Sequence, residues 1–147
     1  MIAFSIPIPL ADEAATMSLG RAIAPLCRAG DVIALQGDLG AGKTTLARAL
    51  IQSLTTVDTE VPSPTYTLIQ TYNSDSFDIW HIDAYRLEDP EEARELGLEE
   101  TVDGLAVIEW PDKLGGHLPA RRLEVRLTSG EEGRIATLED HDDWSQR

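Results

Sequence analysis

Apolar positions recur with two different periods along this chain, and the two periods predict alternating strands and helices. Residues 31–36 form a short apolar stretch typical of a strand, and apolar positions then recur at helical spacing over residues 46–54. Residues 105–108 form a wholly apolar run, as in a parallel strand buried on both faces. Asp12 is a suitable N-cap for an earlier helix with Gly30 as its stop, and Pro25 should kink the last turn of that helix or end it early. The pattern therefore predicts an α/β chain.

Antiparallel hairpins are predicted where alternating segments flank turn residues. Residues 65–72 are rich in β-branched and aromatic side chains, a polar turn follows, and residues 77–82 alternate as a second strand. Residues 123–127 and 134–138 alternate on either side of a glycine-containing turn. Residues 1–9 alternate more loosely and include two prolines, which suits an edge strand.

The length of the chain limits its domain organisation. At 147 residues it has room for one domain and one core, which we expect to span residues 1–138. Residues 139–147 are acidic and have little to bury, so we expect a mobile tail. Asp89, followed by proline and acidic residues, predicts one more helix, which should stop near Gly97.

The stretch between the first apolar strand and its helix carries the clearest chemistry. Its sequence, GDLGAGKTT, fits G-x-x-x-x-G-K-[ST] in the strand, loop, helix order that a phosphate-binding loop needs. Glycines let backbone N–H groups face phosphate oxygens, and the helix N-terminus adds its positive dipole end. Lys43 can reach the β- and γ-phosphates, which makes it a catalytic candidate, and the Thr44 hydroxyl can ligate Mg²⁺. We expect a nucleotide to contact Gly37, Asp38, Leu39, Gly40, Ala41, Gly42, Lys43, Thr44 and Thr45.

Two carboxylates follow predicted strands, at the edge where ligands of open α/β sheets bind. Asp83 follows a strand of the first hairpin, and Glu109 follows the apolar run. Hydrolysis of a nucleotide needs a carboxylate that holds Mg²⁺, directly or through water, and a group that positions the attacking water. Both residues are therefore catalytic and metal-binding candidates. A structural role stays open for each of them, for instance an ion pair between Asp83 and Arg86.

Other side chains near these positions have less specific interpretations. His81 is interpreted as a hydrogen-bonded structural residue, and Trp110 as packing against the loop or a partner. Ser63, Thr65 and Tyr66 lie in a proline-bracketed segment that is either a nucleotide-dependent switch or a rigid turn.

The charge balance bears on the partners of this chain. Twelve basic residues against 26 acidic ones give a net charge of −14, which should repel a nucleic-acid backbone. We therefore expect no DNA partner, and any RNA in the process should be held by another subunit. No apolar run approaches the length of a membrane span and no signal peptide is apparent, so we expect a cytoplasmic protein without a membrane partner.

Four motifs occur in an order that resembles one known family. They are GDLGAGKTT at 37–45, SPTY at 63–66, HIDAYRL at 81–87 and IEWP at 108–111. Together they make the chain similar to the TsaE (YjeE) family, the ATPase component of bacterial tRNA threonylcarbamoyladenosine biosynthesis, over about residues 9–112. A generic P-loop protein would share only the first motif.

The resemblance implies a single-domain P-loop NTPase fold with a mixed, mainly parallel central sheet, flanking helices and antiparallel hairpins. It implies ATP and Mg²⁺ as cofactors and a weak ATPase that TsaD and TsaB stimulate. Those partners would transfer the threonylcarbamoyl group to the adenosine beside the anticodon, so that contact with tRNA is indirect.

Residue roles follow from the matching motif positions. Lys43 would contact phosphates, Thr44 and Glu109 would hold Mg²⁺, and Asp83 and the 63–66 segment would serve hydrolysis or switching, with Asp83 as a further metal candidate. Three more residues would lie near the base and ribose: Glu13, Thr16 and Arg134.

Two other classes of protein also carry a phosphate-binding loop of this kind. A small-molecule kinase would need an acceptor pocket and an arginine-bearing lid, for which residues 86–94 are the short candidate. A nucleotide-sensing module or GTPase-type switch is the second, although the usual N-K-x-D element is absent because Asn73 is followed by Ser74.

Overall fold

The structure of this protein is a computed structural model that describes residues 2–38, 40–64, 68–130 and 133–147. Within these ranges the main elements are two α-helices and seven strands. The helices are α1, Glu13–Ile23, and α2, Lys43–Leu54. The strands are β1 Ile8–Leu10, β2 Val32–Gly37, β3 Ile69–Asn73, β4 Asp78–Asp83, β5 Leu105–Glu109, β6 Leu123–Gly130 and β7 Gly133–Asp140.

All seven strands join one mixed sheet in the order β1-β7-β6-β2-β5-β4-β3. The four central strands, β6, β2, β5 and β4, are parallel, whereas β3, β7 and β1 pair antiparallel with their neighbours. The structure thus confirms the predicted single-domain α/β fold with a mainly parallel centre and two hairpins. Only Ile8–Leu10 of the predicted edge strand at 1–9 pairs with β7.

The sequence explains where α1 begins and ends. The side chain of Asp12 caps the helix, since its Oδ1 accepts a hydrogen bond from the Ala15 N–H at 2.8 Å. The α-helix stops at Ile23 and continues as a 3₁₀ turn over Ala24–Leu26, which contains Pro25. The predicted early end at the proline is confirmed.

The two faces of the sheet bury separate apolar cores, because successive strand residues point to opposite sides. One core joins Ile33, Val107 and Ile79 to residues of α1 and α2. The other joins residues such as Ile108 and Ile82 to side chains of the 3₁₀ segments. All five residues of β5 are buried, as the predicted central parallel strand requires.

The face opposite the α-helices is covered by 3₁₀ segments over Pro90–Leu96, Leu98–Asp103 and Pro111–His117. The helix predicted after Asp89 is the first of these; Asp89 caps it through the Glu91 N–H, and it ends at Gly97 in the left-handed conformation, φ 68°. Within the described ranges, no helix is both long and apolar enough to cross a bilayer.

The prediction that residues 139–147 have little to bury is wrong. Strand β7 continues to Asp140, and Trp144 is buried in the same apolar core as residues of α1 and α2. Arg147 pairs with Asp31 through two hydrogen bonds of 2.6 and 3.0 Å. The acidic composition concealed one large apolar side chain and one internal ion pair, and the segment packs as part of the same domain.

Candidate functional site

The loop between β2 and α2 is shaped by glycines. Gly40 and Gly42 have φ values of 79° and 100°, in the left-handed region that glycine favours. A Cβ atom at Gly42 would lie 2.7 Å from Arg134 Nη1, so a larger residue would displace the arginine. Leu39, also predicted in this loop, lies outside the described residues. The loop delivers the chain directly into α2, whose first residue is Lys43.

Lys43 is turned into the loop and is only 5% exposed. Its Nζ donates hydrogen bonds to the carbonyl oxygens of Gly37 and, at 2.8 Å, of Asp38. The ammonium also lies 4.0 Å from the centre of the Trp110 ring, a cation–π contact. Burial lowers the pKa of Lys43, and the negative charges of Glu109 and other nearby acids oppose that shift. The loop therefore holds a buried cation at the start of a helix.

Thr44 and Glu109 form the most specific contact of the site. The Thr44 hydroxyl lies 2.9 Å from Glu109 Oε1 and 3.1 Å from Oε2. Glu109 is 3% exposed at the end of β5. His81, fully buried on β4, has its Nε2 2.6 Å from Glu109 Oε2. A hydroxyl from α2 and an imidazole from β4 thus hold one carboxylate.

Asp83 stands beside Glu109 at the same edge of the sheet. The two residues are register partners on the parallel strands β4 and β5. Asp83 is 3% exposed, and its Oδ1 accepts a hydrogen bond from the Tyr85 N–H at 2.9 Å. The predicted pair of strand-end carboxylates is brought together beside the loop.

A cavity of about 310 Å³ opens over these groups. Its lining combines the loop, the first turn of α2, both strand-end carboxylates and three further residues: Gly40, Gly42, Lys43, Thr44, Thr45, Ser63, Asp83, Glu109, Trp110 and Arg134. It joins a cation, oxygen ligands and a helix N-terminus, which are the groups that bind a metal–phosphate ligand.

The three residues expected near a base and ribose are only partly brought together. Arg134 borders the cavity and donates from Nη2 to the Gly40 carbonyl at 3.1 Å. Arg134 and Glu13 also line an adjoining depression of about 210 Å³. Thr16, by contrast, is fully buried in α1, and its hydroxyl donates to the Asp12 carbonyl at 3.5 Å.

The donor set fits ATP with Mg²⁺. Mg²⁺ prefers oxygen ligands and is commonly held by one or two carboxylates together with phosphates and water. Thr44 and Glu109 present a hydroxyl and a carboxylate within hydrogen-bonding distance of each other, and Lys43 lies in the adjoining loop. Asp83 offers a second carboxylate at the same edge.

A family model described as "Threonylcarbamoyl adenosine biosynthesis protein TsaE" matches residues 10–136. The chain belongs to the TsaE family. The match includes the loop, Asp83, Glu109 and Arg134, so the family resemblance of the four motifs is confirmed.

Individual TsaE relatives agree with this assignment. Three proteins named tRNA threonylcarbamoyladenosine biosynthesis protein TsaE come from Rickettsia bellii, Nostoc sp. and Bacillus subtilis. The Rickettsia protein is 41% identical over 80% of this chain and 83% of its own length. The Nostoc and Bacillus proteins are 42% and 36% identical, each over 84% of this chain and 78% of its own length.

The crystal structure of YdiB from Bacillus subtilis has the same fold. It superposes with a TM-score of 0.76 at 27% sequence identity, covering 96% of this chain and 88% of YdiB.

One contact of the site in this TsaE-family chain, that between His81 and Glu109, is not predicted by the sequence analysis. His81 is hydrogen-bonded as predicted, and its partner is Glu109. The position of His81 two residues before Asp83 on an alternating strand puts both residues on one face and is the available signal. Trp110 was expected to pack against the loop, and its ring does so at Lys43. Thr65 and Tyr66, two residues of the predicted switch segment, lie outside the described residues.

Proposed function

We propose that this TsaE-family chain is the ATP-binding, Mg²⁺-dependent ATPase component of tRNA threonylcarbamoyladenosine biosynthesis and acts with TsaD and TsaB to support repeated turnover. One observation carries the proposal above the rest. The Thr44 hydroxyl, at the start of the helix after the glycine loop, contacts both oxygens of the buried strand-end carboxylate Glu109. A hydroxyl and a carboxylate in this relation suit a metal that is shared with a triphosphate.

The proposed roles follow from position. The Lys43 ammonium would exchange its contacts with the loop carbonyls for the β- and γ-phosphate oxygens. Thr44 and Glu109 would hold Mg²⁺, which when bound neutralises charge on those oxygens. Asp83 would orient the attacking water or complete the metal site. Loop N–H groups at the start of α2 would supply further phosphate contacts, because they are not used within the helix.

Contacts outside the loop extend the proposed nucleotide site. Arg134 touches the loop at Gly40 and, with Glu13, lines the adjoining depression, which supports their proposed place near ribose or base. We propose no direct ligand contact for the hydroxyl of Thr16, because it is buried and donates to a backbone carbonyl. Its role would be to hold the first turn of α1 in place.

The charge of the chain supports a tRNA contact made by another subunit. A net charge of −14 disfavours direct binding of a polyanion, so tRNA would be held elsewhere in the assembly. We propose that the protein is cytoplasmic, that its ATPase is slow alone and faster with TsaD and TsaB, and that the tRNA contact is made by these partners.

Phosphate release from ATP tests this function, measured with and without TsaD and TsaB. We expect stimulated, Mg²⁺-dependent release that is lost in Lys43→Ala and Glu109→Ala. Glu95→Gln, an exposed acidic residue distant from the loop in sequence, is the matched control and should keep wild-type rates. Unchanged hydrolysis in Glu109→Ala would show that the metal assignment is wrong. Phosphate transfer to a metabolite without any effect of TsaD and TsaB would instead favour a small-molecule kinase.

A further inference from the structure

The buried contact between His81 and Glu109 has geometry that packing alone does not require. His81 lies on β4, between β3 and β5, and is 0% exposed. Its Nε2 is 2.6 Å from Glu109 Oε2. A carboxylate can only accept a hydrogen bond, so the Nε2 atom carries the proton and donates it. The short distance is that of a hydrogen bond to a charged group.

The same carboxylate also contacts Thr44 of α2. Thr44 Oγ1 lies 3.1 Å from Oε2 and 2.9 Å from Oε1. The imidazole therefore constrains the rotation of the Glu109 carboxyl about its terminal bond, which otherwise has a broad preference. The orientation of the Glu109 oxygens toward the Thr44 hydroxyl depends on both neighbours.

The second ring nitrogen makes His81 an unfavourable residue if its only role is to fill space in the core. Among the described residues, Nδ1 is buried and has no hydrogen-bond partner. An unsatisfied buried polar atom is unfavourable, whereas an apolar side chain of similar volume would fill the same space without that cost. The compensating interaction of the ring is the hydrogen bond to Glu109.

We infer that His81 is a positioning residue, which orients the Glu109 carboxylate so that this carboxylate and Thr44 hold Mg²⁺ with the nucleotide. The inference rests on the proposed function, since it assigns a role to His81 within that site. A positioning role differs from a structural role in one measurable respect. Loss of the Nε2 donor should weaken nucleotide binding in the presence of Mg²⁺ and leave nucleotide binding in EDTA unchanged.

Two amide substitutions separate these roles. The side-chain nitrogen of glutamine reaches about as far from the backbone as Nε2, and that of asparagine about as far as Nδ1. We would measure the Kd of a non-hydrolysable ATP analogue by calorimetry, with Mg²⁺ and with EDTA, for wild type, His81→Gln and His81→Asn. The quantity to compare is the Kd in EDTA divided by the Kd with Mg²⁺, which measures how much Mg²⁺ strengthens binding of the analogue.

We expect His81→Gln to keep this ratio within about threefold of wild type, and His81→Asn to lower it about tenfold, the scale of one hydrogen bond to a charged group. The Kd in EDTA should change little in either variant. Equal ratios in the two variants would overturn the inference. A wild-type ratio of one would instead contradict the proposed metal site itself, so the two failures are distinguishable.

A measurement on the unsubstituted protein avoids any dependence on how well the variants fold. Nuclear magnetic resonance of ¹⁵N-labelled histidine reports which ring nitrogen carries the proton. The inference predicts a proton on Nε2 of His81 in the wild-type protein. A neutral ring protonated at Nδ1 alone would overturn it.

Discussion

Replacing Arg147 with glutamine tests how strongly the C-terminal segment is fastened to the sheet. The Arg147 guanidinium donates two hydrogen bonds to Asp31, at 2.6 and 3.0 Å, and one to the Leu26 carbonyl at 2.9 Å. It also lies 4.2 Å from the centre of the Trp144 ring. The side chains of Arg147 and Asp31 are each only 6% exposed, so this is an internal ion pair.

The magnitude follows from that burial. Removing one partner of a buried ion pair leaves the other charge uncompensated and typically costs about 3–5 kcal/mol. Asp31 would keep its hydrogen bond from the Arg28 N–H, so we take the lower end, about 3 kcal/mol. Unfolding entropy of about 2.1 cal/mol/K per residue converts that loss to a fall in Tm of roughly 10 °C.

The assay is thermal and urea unfolding followed by circular dichroism. Arg121→Gln is the matched control, because Arg121 pairs with Asp142 but is 81% exposed, and an exposed pair is worth about 1 kcal/mol or less. Asp31→Asn combined with Arg147→Gln should lose less stability than the sum of the two single changes. The reasoning is refuted if Arg147→Gln and Arg121→Gln lower the free energy of unfolding equally.

Four further predictions concern the site and the core. Lys43→Ala should weaken ATP binding at least tenfold in calorimetry, because it removes the cation of the loop; an unchanged Kd would contradict this role. Arg134→Ala should weaken binding of ADP as well as ATP if Arg134 lies near the ribose or base, whereas loss of ATP binding alone would place it at the γ-phosphate. Burial raises the pKa of Cys27 to about 12. At pH 8 the folded protein should therefore hold roughly a thousandfold less thiolate than the unfolded chain and resist alkylation by iodoacetamide. The pKa difference contributes stability that is fully present below about pH 8.5 and is lost as the pH rises toward the folded value. The isolated chain should not bind tRNA in a filter-retention assay at physiological salt, and sub-micromolar retention would contradict the argument from charge.

The central elements of the fold were predictable because each is specified locally. An uninterrupted apolar run predicted β5, a glycine loop between an apolar strand and an amphipathic stretch predicted β2 and α2, and Pro25 predicted the end of α1. Parallel strands then bring their carboxyl ends together, which is why Asp83 and Glu109 could be expected at one edge.

Features that depend on long-range contacts were not predictable in the same way. Nothing local indicates that Arg147 meets Asp31 or that Trp144 is buried, because both contacts are made across the fold. The segment after Asp89 has the composition of a helix start but folds as 3₁₀ turns against the sheet. The role of His81 appears only when β4 and β5 are paired in register.

The site residues themselves remain predictions, and a metal titration tests them most directly. Mn²⁺ can replace Mg²⁺ at oxygen-ligand sites and is visible by electron paramagnetic resonance. With a non-hydrolysable ATP analogue, we predict one tightly bound Mn²⁺ per chain in the wild-type protein and at least tenfold weaker Mn²⁺ binding in both Thr44→Val and Glu109→Ala. Wild-type Mn²⁺ affinity in Glu109→Ala would contradict the account, since the buried carboxylate beside the loop would then have no part in holding the metal.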